Sequence, residues 1–153
     1  MKWAAVVAAL TATQANALSC IQPDPLATFD RANASDTPYL LLTGQITLDH
    51  PAPDPITKPV SLRGTFAGVG LGMTGFNVPF AEAIWLDVTC AGPWCGSVPT
   101  DADVMAFVDV GADMPTITLD ACGGWVFGAP DQALRDQLTQ CLTDTPCSPQ
   151  PVE

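Results

Sequence analysis

The sequence predicts a mainly β fold: a small closed β-barrel with a short helix near each end, stapled by three disulfides. Three observations carry that prediction. Several short segments alternate apolar and polar residues between proline- and glycine-rich breaks. Two segments, one towards each end, carry a helical apolar stripe instead, the first of them behind a helix cap. Finally, six cysteines follow an export signal, and an even count in an exported chain implies a disulfide framework.

The elements follow in order. Lys2, the apolar run "WAAVVAAL" and a polar stretch ending Ala15-Asn16-Ala17 form a secretory signal peptide over residues 1–17, too short in its apolar core to span a bilayer. The mature chain therefore begins at Leu18, secreted or periplasmic, as one domain over 18–153. A lipoprotein anchored at Cys20 is the alternative, although Ala17 stands three before it where a leucine is usual. Asp24 is placed to cap a helix with Pro25 at its first position, and Leu26 and Phe29 share its face. "PYLLLTGQITLD" is a long strand, with Leu40, Leu42, Gly44, Ile46 and Leu48 on one face and Tyr39, Thr43, Gln45 and Thr47 on the other. "HPAPDPITKP" breaks it as an exposed loop with four prolines. "VSLRGTF" is a shorter strand. In "AIWLDVT" Ile84, Leu86 and Val88 share a face, and in "VMAFVDV" Val104, Ala106, Val108 and Val110 do. "TITLDACGGWVF" adds one or two strands around a Gly-Gly turn. "PDQALRDQLTQCL" is the second helix, with Leu134, Leu138 and Cys141 along one stripe.

Composition narrows the function classes. The chain carries five basic and sixteen acidic residues, net −11, and cleavage would remove Lys2 from the basic set. Nucleic acid and anionic lipid headgroups are therefore poor partners, because phosphate neutralisation needs clustered Lys and Arg. No later stretch is long and apolar enough to be a transmembrane segment.

The motifs that suggest chemistry give it little support. "WLDVTCAGPWCG" imitates a thioredoxin active site, but the second sulfur of that chemistry would fall at Val98, and 97–101 begins no convincing helix to lower the pKa of Cys95. The spacing of Cys90 and Cys95 suits a small closed loop. Gly70-x-Gly72-x-x-Gly75 matches a dinucleotide fingerprint by letter, yet "FNVPF" follows where a helix must open, which favours a glycine-rich loop or bulged strand. His50 is the only histidine and sits in the proline-rich loop, so zinc-enzyme ligand sets and a Ser-His-Asp arrangement have little to build on. The aspartates lack the order of a calcium loop. No cofactor and no metal is expected.

The start of the mature chain is more specific. "LSCIQPDPLATF", with the order Cys20-x-x-Pro23-x-Pro25-x-x-x-Phe29 before a strand, resembles the mature N-terminus of the tissue inhibitors of metalloproteinases and the wider netrin-like module. Looser landmarks continue: a strand reaching glycine near Gly44, Cys95-Gly96, a strand pair, and Cys122. The resemblance implies a five-stranded oligonucleotide/oligosaccharide-binding (OB) type barrel with helices beside it, and a Cys20–Cys122 bridge. Cys90–Cys95 is expected from its spacing, and Cys141–Cys147 because Thr143 to Pro146 can reverse the chain. Two positions depart from the family. Leu18 stands where the inhibitors begin with the cysteine whose α-amine and carbonyl chelate the protease zinc, and Asp30 stands where a second cysteine is usual.

The resemblance also implies a binding surface. In that family the reactive ridge joins the free N-terminus to the loop before the Cys-Gly landmark; here the matching pieces are Leu18-Ser19 and Gly92-Pro93-Trp94. Trp94 is either an interface anchor or a ring covering the barrel end. The expected function is a non-catalytic binding module recognising a protein partner or ligand, possessing inhibitor-like features but no enzymatic activity. The alternatives are a thiol-disulfide oxidoreductase using Cys95 and a structural envelope protein.

Overall fold

The structure is a computed structural model that describes residues 19–147; the expected signal peptide and Leu18 lie outside the described residues. Two helices flank a six-stranded sheet and a two-residue hairpin: α1 (Pro25–Asn33), β1 (Tyr39–Leu48), β2 (Val60–Gly72), β3 (Gly75–Val88), β4 (Cys90–Ala91), β5 (Trp94–Cys95), β6 (Val104–Asp109), β7 (Thr116–Leu119), β8 (Val126–Gly128) and α2 (Gln132–Gln140).

The sheet closes on itself as a ring. β1 pairs antiparallel with β2 and, through its first half, with β6. β2 pairs antiparallel with β3, β3 pairs parallel with β7, and β7 returns to β6. The remaining length of β6 on that side is taken by β8.

Inside the ring, Leu42, Ile46, Phe66, Ile84, Leu86, Val88, Val104, Ala106, Val108, Ile117 and Leu119 form the main core. Each inward set comes from period-two alternation along its strand. A second core lies outside the ring, where Phe29 and Ala32 of α1 and Leu138 of α2, with Cys141 just after it, cover Leu41, Met105 and Phe107. β6 is consequently buried on both faces, since Val104, Ala106 and Val108 point inward while Met105 and Phe107 meet the helices. Leu40 departs from its expected place in the core: it sits at the open end of the ring and is 41% exposed.

The first helix starts as the sequence indicates, and the second starts with a cap of the same kind. The Asp24 carboxylate accepts from the Ala27 amide at 2.8 Å ahead of Pro25, and the Asp131 carboxylate accepts from the Leu134 amide at 2.8 Å. A cap of this kind is worth about 1 kcal/mol. Arg135 pins α2 to the sheet, donating to the Thr43 hydroxyl at 3.3 Å and the Pro130 carbonyl at 3.2 Å.

β2 runs six residues further than "VSLRGTF" suggests, through a bulge between Gly70 and Leu71, and turns at Met73-Thr74 directly into β3. The glycine-rich stretch is thus a bulged strand. β3 tolerates Pro79 because β7 covers only Trp85–Val88, leaving the earlier half of β3 without a second partner strand.

Candidate functional site

The segment after β3 builds the most prominent local feature. Cys90 faces Cys95 and Ala91 faces Trp94 across a two-residue turn. Gly92 has φ +61° and Pro93 has its φ held near −65° by its ring, the sign pattern of a type II′ hairpin turn. The Cys90–Cys95 disulfide joins the two arms, with Cα atoms 3.9 Å apart. Four residues are thus closed by a covalent clamp, and Trp94 on the second arm is 43% exposed.

The base of this hairpin is fastened to the end of β7. Thr89 donates its amide to the Leu119 carbonyl at 2.9 Å, and Gly96 donates to the Thr89 carbonyl at 3.0 Å. Gly96 is buried, and a side chain there would run into the Leu119 carbonyl. The glycine of the Cys-Gly pair is therefore required by backbone contact.

One residue beyond Leu119 the chain turns again. The Asp120 carboxylate accepts from the Cys122 amide at 2.8 Å, and Gly123 and Gly124 follow with φ +74° and +104°. The Cys20–Cys122 bridge, with Cα atoms 5.4 Å apart, fixes the N-terminal segment to this turn. The 119–122 segment therefore holds both pieces, the hairpin through Leu119 and Ser19-Cys20 through Cys122. Two clefts of about 520 and 560 Å³, one beside Cys95-Gly96 and one beside Ile21-Pro23, share the wall made by Asp120, Cys122 and Gly123.

Ile21, which the sequence reading did not single out, is 93% exposed beside the bridge. Its one local signal is an aliphatic side chain immediately after a bridged cysteine in an otherwise polar, proline-rich segment. Below it Arg31 anchors α1, donating to the Gly124 carbonyl at 2.9 Å and lying 4.1 Å from the centre of the Trp125 ring, which stacks on Tyr39 at 4.8 Å. Such a cation–π contact adds about 0.5–2 kcal/mol.

Comparison with protein-family models, curated proteins and solved structures finds no match.

The other candidates lie apart from this ridge or lack reacting groups. Cys141–Cys147 ties the end of α2 to the following turn, where the Asp30 carboxylate accepts from the Cys147 amide at 2.6 Å. Among the described residues every cysteine is in a disulfide, including Cys95, and Val98 holds the position where a resolving sulfur would stand. His50 is exposed in the 49–59 loop. No three metal-ligating side chains cluster among the described residues, and no helix among them is long and apolar enough to cross a membrane.

Proposed function

We propose that the protein is an exported, non-catalytic binding module, built on a small OB-like barrel, that recognises a protein partner through the ridge of Leu18, Ser19 and Gly92-Pro93-Trp94, with Ile21 beside it. The strand ring supports the barrel reading: in chain order its five strands run first, second, third, fifth, fourth and back to the first, the third and fifth parallel. Three disulfides suit an oxidising compartment.

The observation that carries the binding reading is the exposure of Trp94 on a clamped four-residue hairpin. An indole held partly in water on a stiff support loses little conformational freedom when it docks, which is what makes tryptophan an effective interface anchor. An inhibitor-like mode would, by the resemblance, use the Leu18 amine and carbonyl in place of the inhibitors' bridged cysteine.

Capture from the parent organism's exported proteins, using mature wild-type and Trp94→Ala chains as bait, tests the reading. A partner held by wild type should bind the variant about thirtyfold or more weakly, the equivalent of a 2 kcal/mol hot spot, while thermal unfolding shifts only modestly. If Trp94→Ala unfolds the protein and binding per folded molecule is unchanged, Trp94 closes the end of the barrel and the ridge is wrong.

A further inference from the structure

We propose that the cleft between β7 and β8 is a second binding site, for an extended peptide segment of a partner protein. The segment alternates apolar and basic residues and pairs there as an added strand. Two strand edges wall the cleft, which has a volume of about 520 Å³. On the β3 side of β7, the Trp85 amide donates to the Pro115 carbonyl and the Thr89 amide to the Leu119 carbonyl, both at 2.9 Å. In a parallel ladder with Asp87 opposite Thr118, this assigns the backbone groups of residues 115, 117 and 119 to β3. The N–H and C=O of Thr118 therefore turn the other way. Among the described residues β6 meets β7 only at Asp109 and Thr116, so it does not reach them.

The same argument holds for β8. Phe107 donates its amide to the Trp125 carbonyl at 2.9 Å, which makes 125 and 127 the residues bonded to β6. The backbone groups of Val126 and Gly128 turn away from β6. Thr118, Val126 and Gly128 all line the cleft. Open strand groups thus face one slot from both sides, and an extended backbone is the ligand that uses donors and acceptors in that order. Nothing lies within 4 Å of a Cβ built on Gly128, so a partner's backbone can close on this edge.

Side-chain chemistry then sets the segment's pattern. Val104 and Leu119, each 4% exposed, and Val126 pack with the core inside the ring and also form the floor of the cleft. Inward residues of an added strand would rest on them. Asp103 and Asp120 line the same cleft, and no lysine, arginine or histidine does. The Asp120 carboxylate accepts from the Cys122 amide at 2.8 Å and keeps acceptor positions for a cation. Side chains alternate along a strand, so the matching segment carries β-branched residues at every second position and lysine or arginine between them. The site needs neither Trp94 nor Leu18 and stands apart from the ridge.

The test is an NMR titration of the ¹⁵N-labelled mature protein with acetyl-Lys-Val-Lys-Val-Lys-amide. Two control peptides replace the central lysine by proline, or every lysine by glutamate. The basic peptide should give saturable shifts and slowed hydrogen exchange at the amides of Thr118, Val126 and Gly128. The proline peptide cannot donate at its centre and should bind about tenfold or more weakly; the glutamate peptide should not bind. Gly128→Val, which fills the open space at the edge, should weaken binding about tenfold or more while the fold stays intact. Asp103→Asn with Asp120→Asn should weaken it about three- to tenfold. The proposal is overturned if no shift saturates, if either control peptide binds as well, or if either variant binds like wild type. Shifts centred instead on Ala81 and Ala83, in the half of β3 without a second partner strand, also overturn it. So does protection of the three amides that grows with protein concentration alone, which would make a second copy of the chain the occupant. Should one variant fold poorly, the other decides.

Discussion

Gly96→Ala should loosen the base of the Trp94 hairpin. The added methyl meets the carbonyl oxygen and carbon of Leu119, which are backbone atoms and cannot swing aside as a flexible side chain would. Relief requires moving that carbonyl, yet it accepts the Thr89 amide at 2.9 Å, and Gly96 itself donates to Thr89 at 3.0 Å. Overpacking of this kind costs about 1–3 kcal/mol, and a weakened hydrogen bond adds up to about 1 kcal/mol. The alanine returns about 0.4–1 kcal/mol by restricting the unfolded chain. The expected net loss is about 1–3 kcal/mol, which lowers the urea midpoint by roughly 1 M at an ordinary m-value. Gly128→Ala is the control, because nothing lies within 4 Å of its added Cβ; it should be neutral or slightly stabilising. Equilibrium unfolding followed by circular dichroism, disulfides intact, compares the two. A Gly96→Ala midpoint at or above wild type would refute the argument that backbone contact at Leu119 holds the hairpin.

Two further outcomes follow from the fold. Replacing Cys20 and Cys122 together by serine opens a link between residues 102 apart in sequence and should cost about 2–5 kcal/mol in thermal or urea unfolding; a loss well below that range would mean the N-terminal segment is held mainly by the Asp24 cap and Arg31. Burial, and next the Asp109 carboxylate, push the Tyr39 phenol above its ordinary 10.0, with Arg31 pulling the other way. The folded state thus favours the neutral phenol, so the Tyr39 contribution is complete below pH about 10 and is lost as pH rises through the raised value. Tyr39→Phe should flatten the decline in urea midpoint above pH about 10; an identical alkaline slope in the two proteins would contradict it.

What could be read from the residues divides by the distance over which each signal acts. The Asp24 cap, the alternation of Ile84, Leu86 and Val88, and the closing of a short loop between Cys90 and Cys95 are local, and all are visible in a few consecutive letters. Three disulfides from six cysteines required only counting. The extension of β2 to Gly72 was hidden because a glycine-rich stretch has weak strand preference of its own; what makes it a strand is antiparallel pairing with β3 as far as Gly75. Leu40 and Phe107 depart from simple strand phase in opposite directions. Leu40 has the phase of an inward residue but sits where the ring is open, whereas Phe107 has the phase of an outward residue and is 2% exposed under the helices.

The two ends of the candidate ridge show the same division. Gly92-Pro93-Trp94 announces itself through turn chemistry, but Ile21 becomes notable only because the bridge to Cys122 holds it in the open next to a turn about a hundred residues away. Trp85 is the sharpest case. Alternation along β3 gives it an outward direction, as alternation along β6 gives one to Phe107. Whether outward means roofed or open then depends on where α1 and α2 dock, and the apolar stripe of a short helix states that it must cover something without stating which strand. An aromatic left uncovered after both helices have found their places is for that reason more informative than an aromatic in an outward phase.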